Sequence, residues 1–349
     1  MKTQKPVKIG GVQIGGGAPV AIQSMTNTPT ADAAATVRQI HALEDAGCEI
    51  VRVAVPDMES ARAISEIKKQ IHIPLVADIH FDYRLALEAI ARGVDKVRLN
   101  PGNIGDEARV KSVADAARAH GVPIRIGVNA GSLEKGLLQQ CGSYPAAMAE
   151  SARRHVALLN RWGFDDIVLS MKASSVQTTI AAYRLAKEAF PYPLHLGVTE
   201  AGTAQQGLVK SAIGIGALLA DGIGDTIRVS LTDDPVCEVR AAQQILRALG
   251  LGKPGVEVIS CPTCARTKID LIPIAKAVSE AVADIPIRLK VAVMGCVVNG
   301  PGEARGADIG IAGGDGCAVL FRHGEIVRKI PEDEIIATLI NEIRKMAEV

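Results

Sequence analysis

Three cysteines and one glutamate near the end of the chain have the residue types and spacing that hold a metal centre. Cys261 and Cys264 stand in Cys261-Pro-Thr-Cys264, and Cys296 and Glu303 fall in Gly295-Cys-Val-Val-Asn-Gly-Pro-Gly-Glu303. Two thiolates at that spacing can bind one centre from a single turn, and a third from a distant loop completes the cage. Prolines and glycines in both segments let the backbone bend toward a metal. This constellation predicts electron chemistry.

The Cys-x-x-Cys spacing alone leaves the kind of centre open, because zinc sites, redox dithiols and iron–sulfur sites all use it. A redox dithiol would leave Cys296 without a role. A zinc site would need a fourth Cys or His ligand, which Cys317 could supply. Three thiolates and one oxygen ligand suit a four-iron cluster whose last iron can exchange ligands, and Glu303 is the natural oxygen donor. Cys237 has no comparable context, and we expect it to be an ordinary packing or surface residue.

The composition restricts the partners of such a centre. The chain has 349 residues, of which 3% are aromatic, and a net charge of +1. Few aromatic residues argue against a base-stacking nucleic-acid platform, and the balanced charge gives no general attraction to DNA or a membrane. We expect no nucleic-acid partner and no membrane association, since no apolar run approaches roughly 18 residues. The lack of a signal-peptide pattern and the odd number of cysteines predict a reducing cytoplasm.

Short β-branched runs in the first two-thirds of the chain predict eight strands, each followed by a helix. The predicted strands cover 20–25, 50–55, 74–79, 96–99, 123–128, 166–171, 194–199 and 226–231. Stretches with helical spacing lie between them, for example 32–46, 58–70, 83–92 and 107–120. Eight strand–helix units in about 250 residues favour an α/β fold of the TIM (β/α)8 barrel type over an open sheet.

A glycine-rich stretch at 248–255 predicts a linker between two domains. We therefore place the TIM barrel in 1–250 and a small α/β domain that holds the cysteines in 251–349. The pattern of the second domain predicts strands at 256–259 and 288–293, further short strands, and helices near 271–283 and 332–347. The glycine-rich pieces 10–17 and 313–316 lack the order of nucleotide-binding loops and are interpreted as turns.

Basic residues near the ends of the predicted strands indicate an anion site. Catalytic groups of a TIM barrel lie at the C-terminal ends of its strands, where residues two apart share a face. Asp78 and Glu200 are too few to neutralise the five cations near these ends. The five cations are Arg52, Arg98, Arg125, Lys172 and Arg228. Guanidinium groups match phosphate geometry, so a small diphosphate is favoured over a carboxylate as the ligand.

Neutral polar residues and one carboxylate accompany these cations. Parity along the strands groups Asn129 with Arg125 and Ser230 with Arg228. Glu200 ends the seventh predicted strand, where it could donate or accept a proton or could instead orient one of the arginines.

Motifs along most of the chain carry a resemblance to a known family. They include Gln23-Ser-Met-Thr-Asn-Thr28, Ala77-Asp-Ile-His-Phe81, Arg98-Leu-Asn-Pro-Gly-Asn103 and the two cysteine segments, of which the one ending at Glu303 is the most distinctive. In these motifs the chain resembles the 4-hydroxy-3-methylbut-2-en-1-yl diphosphate synthase family, the iron–sulfur enzymes of the methylerythritol phosphate route to isoprenoids. It is similar to the short bacterial form, which lacks the large insert of plant-type relatives.

The resemblance implies a 4Fe-4S cluster held by Cys261, Cys264, Cys296 and Glu303. It implies reductive opening and dehydration of 2-C-methyl-D-erythritol 2,4-cyclodiphosphate to the linear hydroxymethylbutenyl diphosphate. Two electrons would arrive singly from flavodoxin or ferredoxin. The substrate-binding residues of the family fall on Arg52, Arg98, Arg125, Asn129, Lys172, Arg228 and Ser230, and its proposed acid/base group falls on Glu200.

The reach of the linker predicts a homodimer. The last helix of a TIM barrel runs back toward the N-terminal face, so the linker begins on the side away from the mouth, and six residues span at most about 20 Å. A head-to-tail dimer, in which each cysteine domain caps the barrel of the partner, solves this geometry, and the resemblance implies the same assembly. Two other interpretations stay open: a zinc-stapled interaction module on a phosphate-binding barrel, and a barrel transferase of the pterin-binding type.

Overall fold

The computed structural model describes residues 5–100, 103–297 and 306–348. The chain divides into two compact units, of which the first ends at Leu251 and the second begins at Gly252. Within the described residues, no helix is both long enough and apolar enough to cross a membrane.

A short antiparallel hairpin, which the sequence did not predict, precedes the barrel. Strand β1 (Val7–Ile9) pairs with β2 (Val12–Ile14), and their turn contains Gly10 at a φ of +52°. The hairpin buries apolar side chains against residues at the starts of four barrel strands, namely Ala21, Ile50, Val76 and Val168. It therefore forms an apolar plug at the N-terminal end of the barrel. The interpretation of 10–17 as turns missed these strands because each has only three residues.

Eight parallel strands form the nearly closed barrel, which confirms the predicted TIM architecture. They are β3 (Ala21–Met25), β4 (Ile50–Ala54), β5 (Leu75–Asp78), β6 (Lys96–Leu99), β7 (Ile124–Asn129), β8 (Ile167–Lys172), β9 (His195–Leu196) and β10 (Thr226–Ile227). The order across the sheet is β8-β7-β6-β5-β4-β3-β10-β9. A bridge between Leu169 and Leu194 joins its two ends, and the Leu169 N–H donates to the Pro193 carbonyl at 2.9 Å.

Helices follow the strands and cover the outside of the barrel. They are α1 (Ala33–Asp45), α2 (Met58–Lys68), α3 (Tyr83–Ala91), α4 (Glu107–His120), α5 (Leu137–Cys141), α6 (Tyr144–Arg161), α7 (Val176–Ala189), α8 (Ala204–Ala220) and α9 (Pro235–Ala248). Aspartate caps fix several starts, because the side chains of Asp32, Asp57 and Asp106 accept hydrogen bonds from the first turns of α1, α2 and α4. Apolar helix faces and strand residues share one large core.

Strands β9 and β10 are much shorter than the six residues predicted for each. At Gly197 an added Cβ would lie 2.6 Å from Lys172 Nζ and 2.8 Å from the Arg228 carbonyl oxygen. The regular ladder ends near this point, where the backbone approaches these two basic residues closely. Glu200 then adopts a φ of +52°, which is unusual for a residue other than glycine. The residues after β9 and β10 therefore form walls of a cavity rather than a continuing sheet.

The second unit is a five-stranded mixed sheet with two helices. Its elements are β11 (Val256–Ser260), α10 (Leu271–Ala281), β12 (Leu289–Met294), β13 (Ile309–Gly314), β14 (Cys317–Arg322), β15 (Glu325–Pro331) and α11 (Ile335–Ala347). The sheet order follows the chain, with β11, β12 and β13 parallel and the last two strands antiparallel. The predicted last helix starts later than expected because 332–334 form a 3-10 turn. The turn expected at 313–316 is narrower, since Gly313 and Gly314 belong to β13.

Candidate functional site

A polar cavity of about 340 Å³ opens where the barrel strands end. It is lined by the seven residues predicted to bind substrate: Arg52, Arg98, Arg125, Asn129, Lys172, Arg228 and Ser230. Asp78, His80, Asn100, Asn103 and Thr199 are also in the lining. Glu200 is not in the lining; it is exposed and follows Thr199 directly. The structure thus brings the predicted cations together and leaves the predicted acid/base group beside them.

Strand register explains why the cations converge. Asp78 on β5 lies opposite Arg98 on β6, and Arg98 lies opposite Arg125 on β7. Register partners in a parallel sheet point to the same face, so these three side chains enter the barrel side by side. Gly127 leaves the space for one of them, because an added Cβ there would lie 2.5 Å from Arg98 Nε. Because Gly127 has only a hydrogen atom in place of a side chain, the Arg98 guanidinium can lie across β7.

Asp78 is the anionic centre of one half of the cavity. Arg98 Nη1 donates to Asp78 Oδ1 at 3.0 Å, and Arg52 Nε lies 3.7 Å from Oδ2. His80 Nε2 is also 3.7 Å from Oδ2. Burial alone would raise the pKa of Asp78, but the charges of Arg52 and Arg98 outweigh it and lower that pKa to about 2. The carboxylate is therefore ionised at neutral pH and holds both guanidinium groups in place.

Glu238 holds the arginine on the opposite side of the barrel, and sequence reasoning missed it. Its carboxylate accepts hydrogen bonds from Arg228 Nε and Nη2, both at 3.3 Å. Ser24 Oγ and the Leu231 N–H also donate to it, at 3.1 Å each. A signal was available, since Glu238 falls on the buried face of α9 with Val239 and Ala242, where an unpaired charge would be costly.

Arg125 and Lys172 have no such carboxylate. Arg125 is 1% exposed, and its Nε and Nη1 find no hydrogen-bond partner among the described residues. Burial, and then the charges of neighbouring arginines, lower the pKa of both Arg125 and Lys172. Each is a desolvated donor group that faces a cavity without a carboxylate partner in the described chain. Such groups gain most from a ligand that brings negative charge.

Replacing Asp78 by asparagine should destabilise the barrel by about 3–5 kcal/mol, because two buried guanidinium groups would lose their counter-charge. The pKa of Asp78 is lowered to about 2, so its contribution is complete above the ordinary carboxyl pKa of about 4 and is lost as the pH falls toward 2. Urea unfolding of both proteins between pH 2 and 7 tests this. The difference in unfolding free energy should shrink on the acid side.

The matched control is Asp115→Asn, which removes an exposed partner of Lys111 and Arg118 on α4. This change should leave the unfolding free energy nearly unchanged, because exposed ion pairs contribute little. Equal effects of the two substitutions at neutral pH would contradict the role given to Asp78.

Cys261, Cys264 and Cys296 lie at the edge of the second unit's sheet where strands β11 and β12 end. Strand β11 ends at Ser260, just before Cys261, and β12 ends at Met294, two residues before Cys296. Because the two strands are parallel neighbours with Ser260 opposite Val293, their following loops meet at the same edge. The Gly295 N–H donates to Cys261 Sγ at 3.2 Å and so joins the two loops.

A tight turn carries Cys264 next to this contact. The Thr267 N–H donates to the Cys264 carbonyl at 3.0 Å, and the Cys264 N–H donates to Thr267 Oγ1 at 3.1 Å. The backbone and side chain of Arg266 lower the pKa of the Cys264 thiol. Gly295 packs against the same turn, since an added Cβ would lie 3.0 Å from Thr267 Cγ2. The local fold thus favours the thiolate form that a metal requires.

The donor set fits a multi-iron cluster, and the strand order argues against a zinc site completed by Cys317. Cys317 begins β14, which is three strands from β11 and so about 14 Å away at ordinary strand spacing. Cys317 is therefore poorly placed to complete a zinc site with Cys261. Glu303, the fourth predicted ligand, lies outside the described residues.

Comparison with known proteins gives matches along nearly the whole chain. The family model of the GcpE TIM-barrel domain matches residues 4–243, and that of the GcpE protein C-terminal domain matches residues 257–345. A 4-hydroxy-3-methylbut-2-en-1-yl diphosphate synthase (flavodoxin) from Caldanaerobacter subterraneus subsp. tengcongensis is 60% identical over 346 residues, 99% of this chain and 98% of that protein. The protein of the same name from Geobacter sulfurreducens is 58% identical over 343 residues, 98% of this chain and 97% of that protein.

Among solved structures, a spore coat polysaccharide biosynthesis protein from Bacillus subtilis has a similar fold. The TM-score is 0.50 at 11% sequence identity, and the match covers 72% of this chain and 75% of that protein. At this identity the likeness concerns the fold alone.

Proposed function

The chain belongs to the 4-hydroxy-3-methylbut-2-en-1-yl diphosphate synthase family, and from this premise we propose how its residues perform the reaction. The substrate is 2-C-methyl-D-erythritol 2,4-cyclodiphosphate, which is opened reductively and loses water to give the linear 4-hydroxy-3-methylbut-2-en-1-yl diphosphate. The reaction belongs to the methylerythritol phosphate route to isoprenoids. The observation that carries the proposal is the cavity in which Arg125 and Lys172 face the barrel mouth without a carboxylate partner among the described residues.

The diphosphate binds to the cations of the barrel in this proposal. Arg125 and Lys172 form the strongest contacts, because they are desolvated before the ligand arrives. Arg98 and Arg228 stay in fixed positions through Asp78 and Glu238. They can therefore stabilise charge that develops on the departing ring oxygen without rearranging. Arg52, Asn129 and Ser230 complete the polar contacts from their own strand ends.

Cys261, Cys264 and Cys296 are proposed to hold three irons of a 4Fe-4S cluster, with Glu303 as the ligand of the fourth. The support is the arrangement of two cysteine loops at one sheet edge, joined by the Gly295 N–H to Cys261 Sγ hydrogen bond. An N–H group that donates to a ligand sulfur tunes the electron affinity of a cluster. When bound, the cluster supplies single electrons and one iron that can accept an oxygen ligand.

Glu200 is the proposed proton donor for the hydroxyl group that leaves as water. Its carboxylate is exposed, and its strained backbone follows Thr199, which lines the cavity. A non-glycine residue at a positive φ is often kept where function needs its position. Flavodoxin is the proposed electron donor because the matched relatives carry it in their names, and ferredoxin is the alternative.

The direct test is turnover by the protein purified without oxygen. With reduced flavodoxin, the cyclic diphosphate should disappear and the linear diphosphate should form, as phosphorus NMR can follow. The protein should be brown and contain about four irons per chain, the count of a four-iron cluster. A colourless protein with stoichiometric zinc would support the structural-module interpretation instead. Turnover of a pterin substrate would support the transferase interpretation.

We also propose that the enzyme is a homodimer with composite active sites. The segment from the end of α9 at Ala248 to the start of β11 at Val256 is short, and the last helix of a TIM barrel ends on the face away from the mouth. Phe81 lines the cavity with 75% of its surface exposed, so a covering domain would have an apolar side chain to bury there. We propose that the covering domain belongs to a second copy of the chain.

Subunit mixing tests the composite site. At low substrate concentration Cys296→Ser should be inactive alone and Arg125→Ala should turn over only slowly, but their heterodimer should regain up to one complete site. Turnover in an equal mixture should therefore rise well above that of either variant. A matched mixture of Cys296→Ser with Cys261→Ser should stay inactive, since both changes affect the same unit. Subunit exchange must be shown with differently tagged chains, and exchange without recovered turnover would contradict the composite site.

A further inference from the structure

A buried polar layer lies in the barrel below the residues that line the cavity. Lys96 and His195 are 0% exposed and lie two residues before Arg98 and Gly197 on β6 and β9. Thr226 and Gln23 are also buried, and the His195 Nδ1 atom lies 2.8 Å from Thr226 Oγ1. The hairpin plug closes the opposite end of the barrel. The layer is therefore enclosed between the apolar plug and the substrate cavity.

Lys96 is a buried titratable residue of this layer to which the proposed reaction assigns no role. Its Nζ atom finds no hydrogen-bond partner among the described residues, and no described carboxylate is within ion-pair distance. The charged or titratable groups around it are Arg125 on β7, Arg52 on β4, His195 on β9, and Arg98 on its own strand. An ammonium group at this position would be desolvated and repelled by the guanidinium groups.

Burial, and then the charges of Arg125 and Arg52, hold the pKa of Lys96 well below its ordinary value. Burial and the neighbouring guanidinium groups therefore disfavour the ammonium form of Lys96 before substrate binds. The two arginines that repel its proton are the same ones that line the cavity above it. A dianion bound to these arginines would cancel much of that repulsion, and interactions in a dry barrel interior are only weakly screened.

We propose that Lys96 takes up a proton when the cyclic diphosphate binds in the cavity, so that substrate binding is coupled to protonation of the barrel interior. The inference rests on the proposed function, because it takes the substrate to be a diphosphate anion. Lys96 touches no substrate atom in this account and acts through Arg125 and Arg52 as a positioning residue. The added charge at the floor of the cavity would strengthen the hold on the diphosphate.

The sign of the pH effect follows from linkage. Binding raises the pKa of Lys96, so a proton is taken up only at pH values between the pKa in the free enzyme and the pKa in the complex. Within that window the affinity should fall as the pH rises, by up to about tenfold per pH unit for one proton. Below the window Lys96 is charged in both states, and above it Lys96 is neutral in both.

Titration calorimetry measures how many protons the enzyme takes up when the cyclic diphosphate binds. The oxidised holoenzyme, without a reductant, is titrated with the cyclic diphosphate in buffers of different ionisation enthalpy, at several pH values. Lys96→Met should bind the ligand but take up fewer protons than the wild type, by up to about one per site, and should show a flatter pH dependence of affinity. Lys96→Gln should behave in the same way and serves if the methionine variant does not fold.

His195→Gln is the matched control, since it changes the other titratable group of the layer. It should keep the proton uptake that depends on Lys96. Binding by the Lys96 variants with wild-type proton uptake would overturn the proposal, as would wild-type binding without any uptake. A loss of uptake in His195→Gln alone would assign the proton to the histidine and also overturn it. Failure of the wild type to bind the cyclic diphosphate would instead contradict the proposed function.

Discussion

Replacing Cys296 by serine should abolish turnover while the barrel keeps its fold and its affinity for the cyclic diphosphate. Cys296 is buried at the edge where the loops after β11 and β12 meet, and its thiolate is one of the three proposed to bind the cluster. Loss of a direct ligand should exceed the roughly 10–100-fold effect of changes around a metal site. Iron content, visible absorbance and turnover measure the loss, and calorimetry measures the binding that remains.

Cys237→Ser is the matched control, because Cys237 lies on α9 in the barrel unit and has no place in the proposed centre. This variant should keep its iron and its turnover. Glu303→Ala should fall between the two, with an altered or labile cluster and little turnover, because one ligand of four is lost. A Cys296→Ser protein with full iron content and normal turnover would contradict the ligand assignment.

Replacing Arg125 by methionine should weaken binding of the cyclic diphosphate by about 10- to 150-fold, since a charged hydrogen bond contributes about 1.5–3 kcal/mol. The same change should leave the unfolding free energy unchanged or increase it. Arg125 is a buried cation whose Nε and Nη1 have no partner in the described chain, and an apolar side chain of similar size removes that desolvation cost. Calorimetry and urea unfolding measure the two effects separately.

Arg98→Met is the matched comparison within the cavity. It should also weaken binding, but it should destabilise the barrel because Asp78 would lose its 3.0 Å partner. Arg118→Met, which changes an exposed arginine on α4, should affect neither quantity. Unchanged substrate affinity in both cavity variants would place the diphosphate elsewhere, and strong destabilisation by Arg125→Met would show that this arginine has a structural role.

The cations of the cavity were predictable from the sequence because two simple rules place them. Parallel strands end at one side of a barrel, and side chains two residues apart share a face. These two rules alone place Arg98 and Arg125 in the cavity, and the register between β6 and β7 sets them side by side. Glu238 was not found because it comes from a helix rather than a strand end, and only packing against β3 and β10 brings it to Arg228.

The lengths of β9 and β10 and the plug below the barrel could not be predicted in the same way. The composition of 194–199 and 226–231 favours strands, but the ladder ends early, near the place where Gly197 closely approaches Lys172 and Arg228. The hairpin of β1 and β2 is stabilised by burial against residues from four separate strands. Such long-range contacts leave no local pattern in the sequence. The burial of Lys96 also depends on long-range contacts, so the sequence alone did not predict it.

The second unit shows the opposite case, in which topology limits the interpretations that one motif leaves open. From the sequence, Cys317 was a candidate zinc ligand, because spacing along the chain does not give the spatial distance between Cys317 and Cys261. The order of β11, β12, β13 and β14 puts three strand spacings between Cys261 and Cys317. It also sets Cys261 and Cys296 after adjacent parallel strands, where both can contribute to the proposed cluster.

We propose that the barrel cations and the cysteine centre serve one site, and electron paramagnetic resonance can test this proposal. The enzyme is reduced by one electron, and its spectrum is recorded with and without saturating cyclic diphosphate. The substrate should change the spectrum of the wild type, and Arg125→Met should need about 10- to 150-fold more substrate for the same change. A wild-type spectrum that stays the same at full substrate occupancy, established by calorimetry, would contradict the claim.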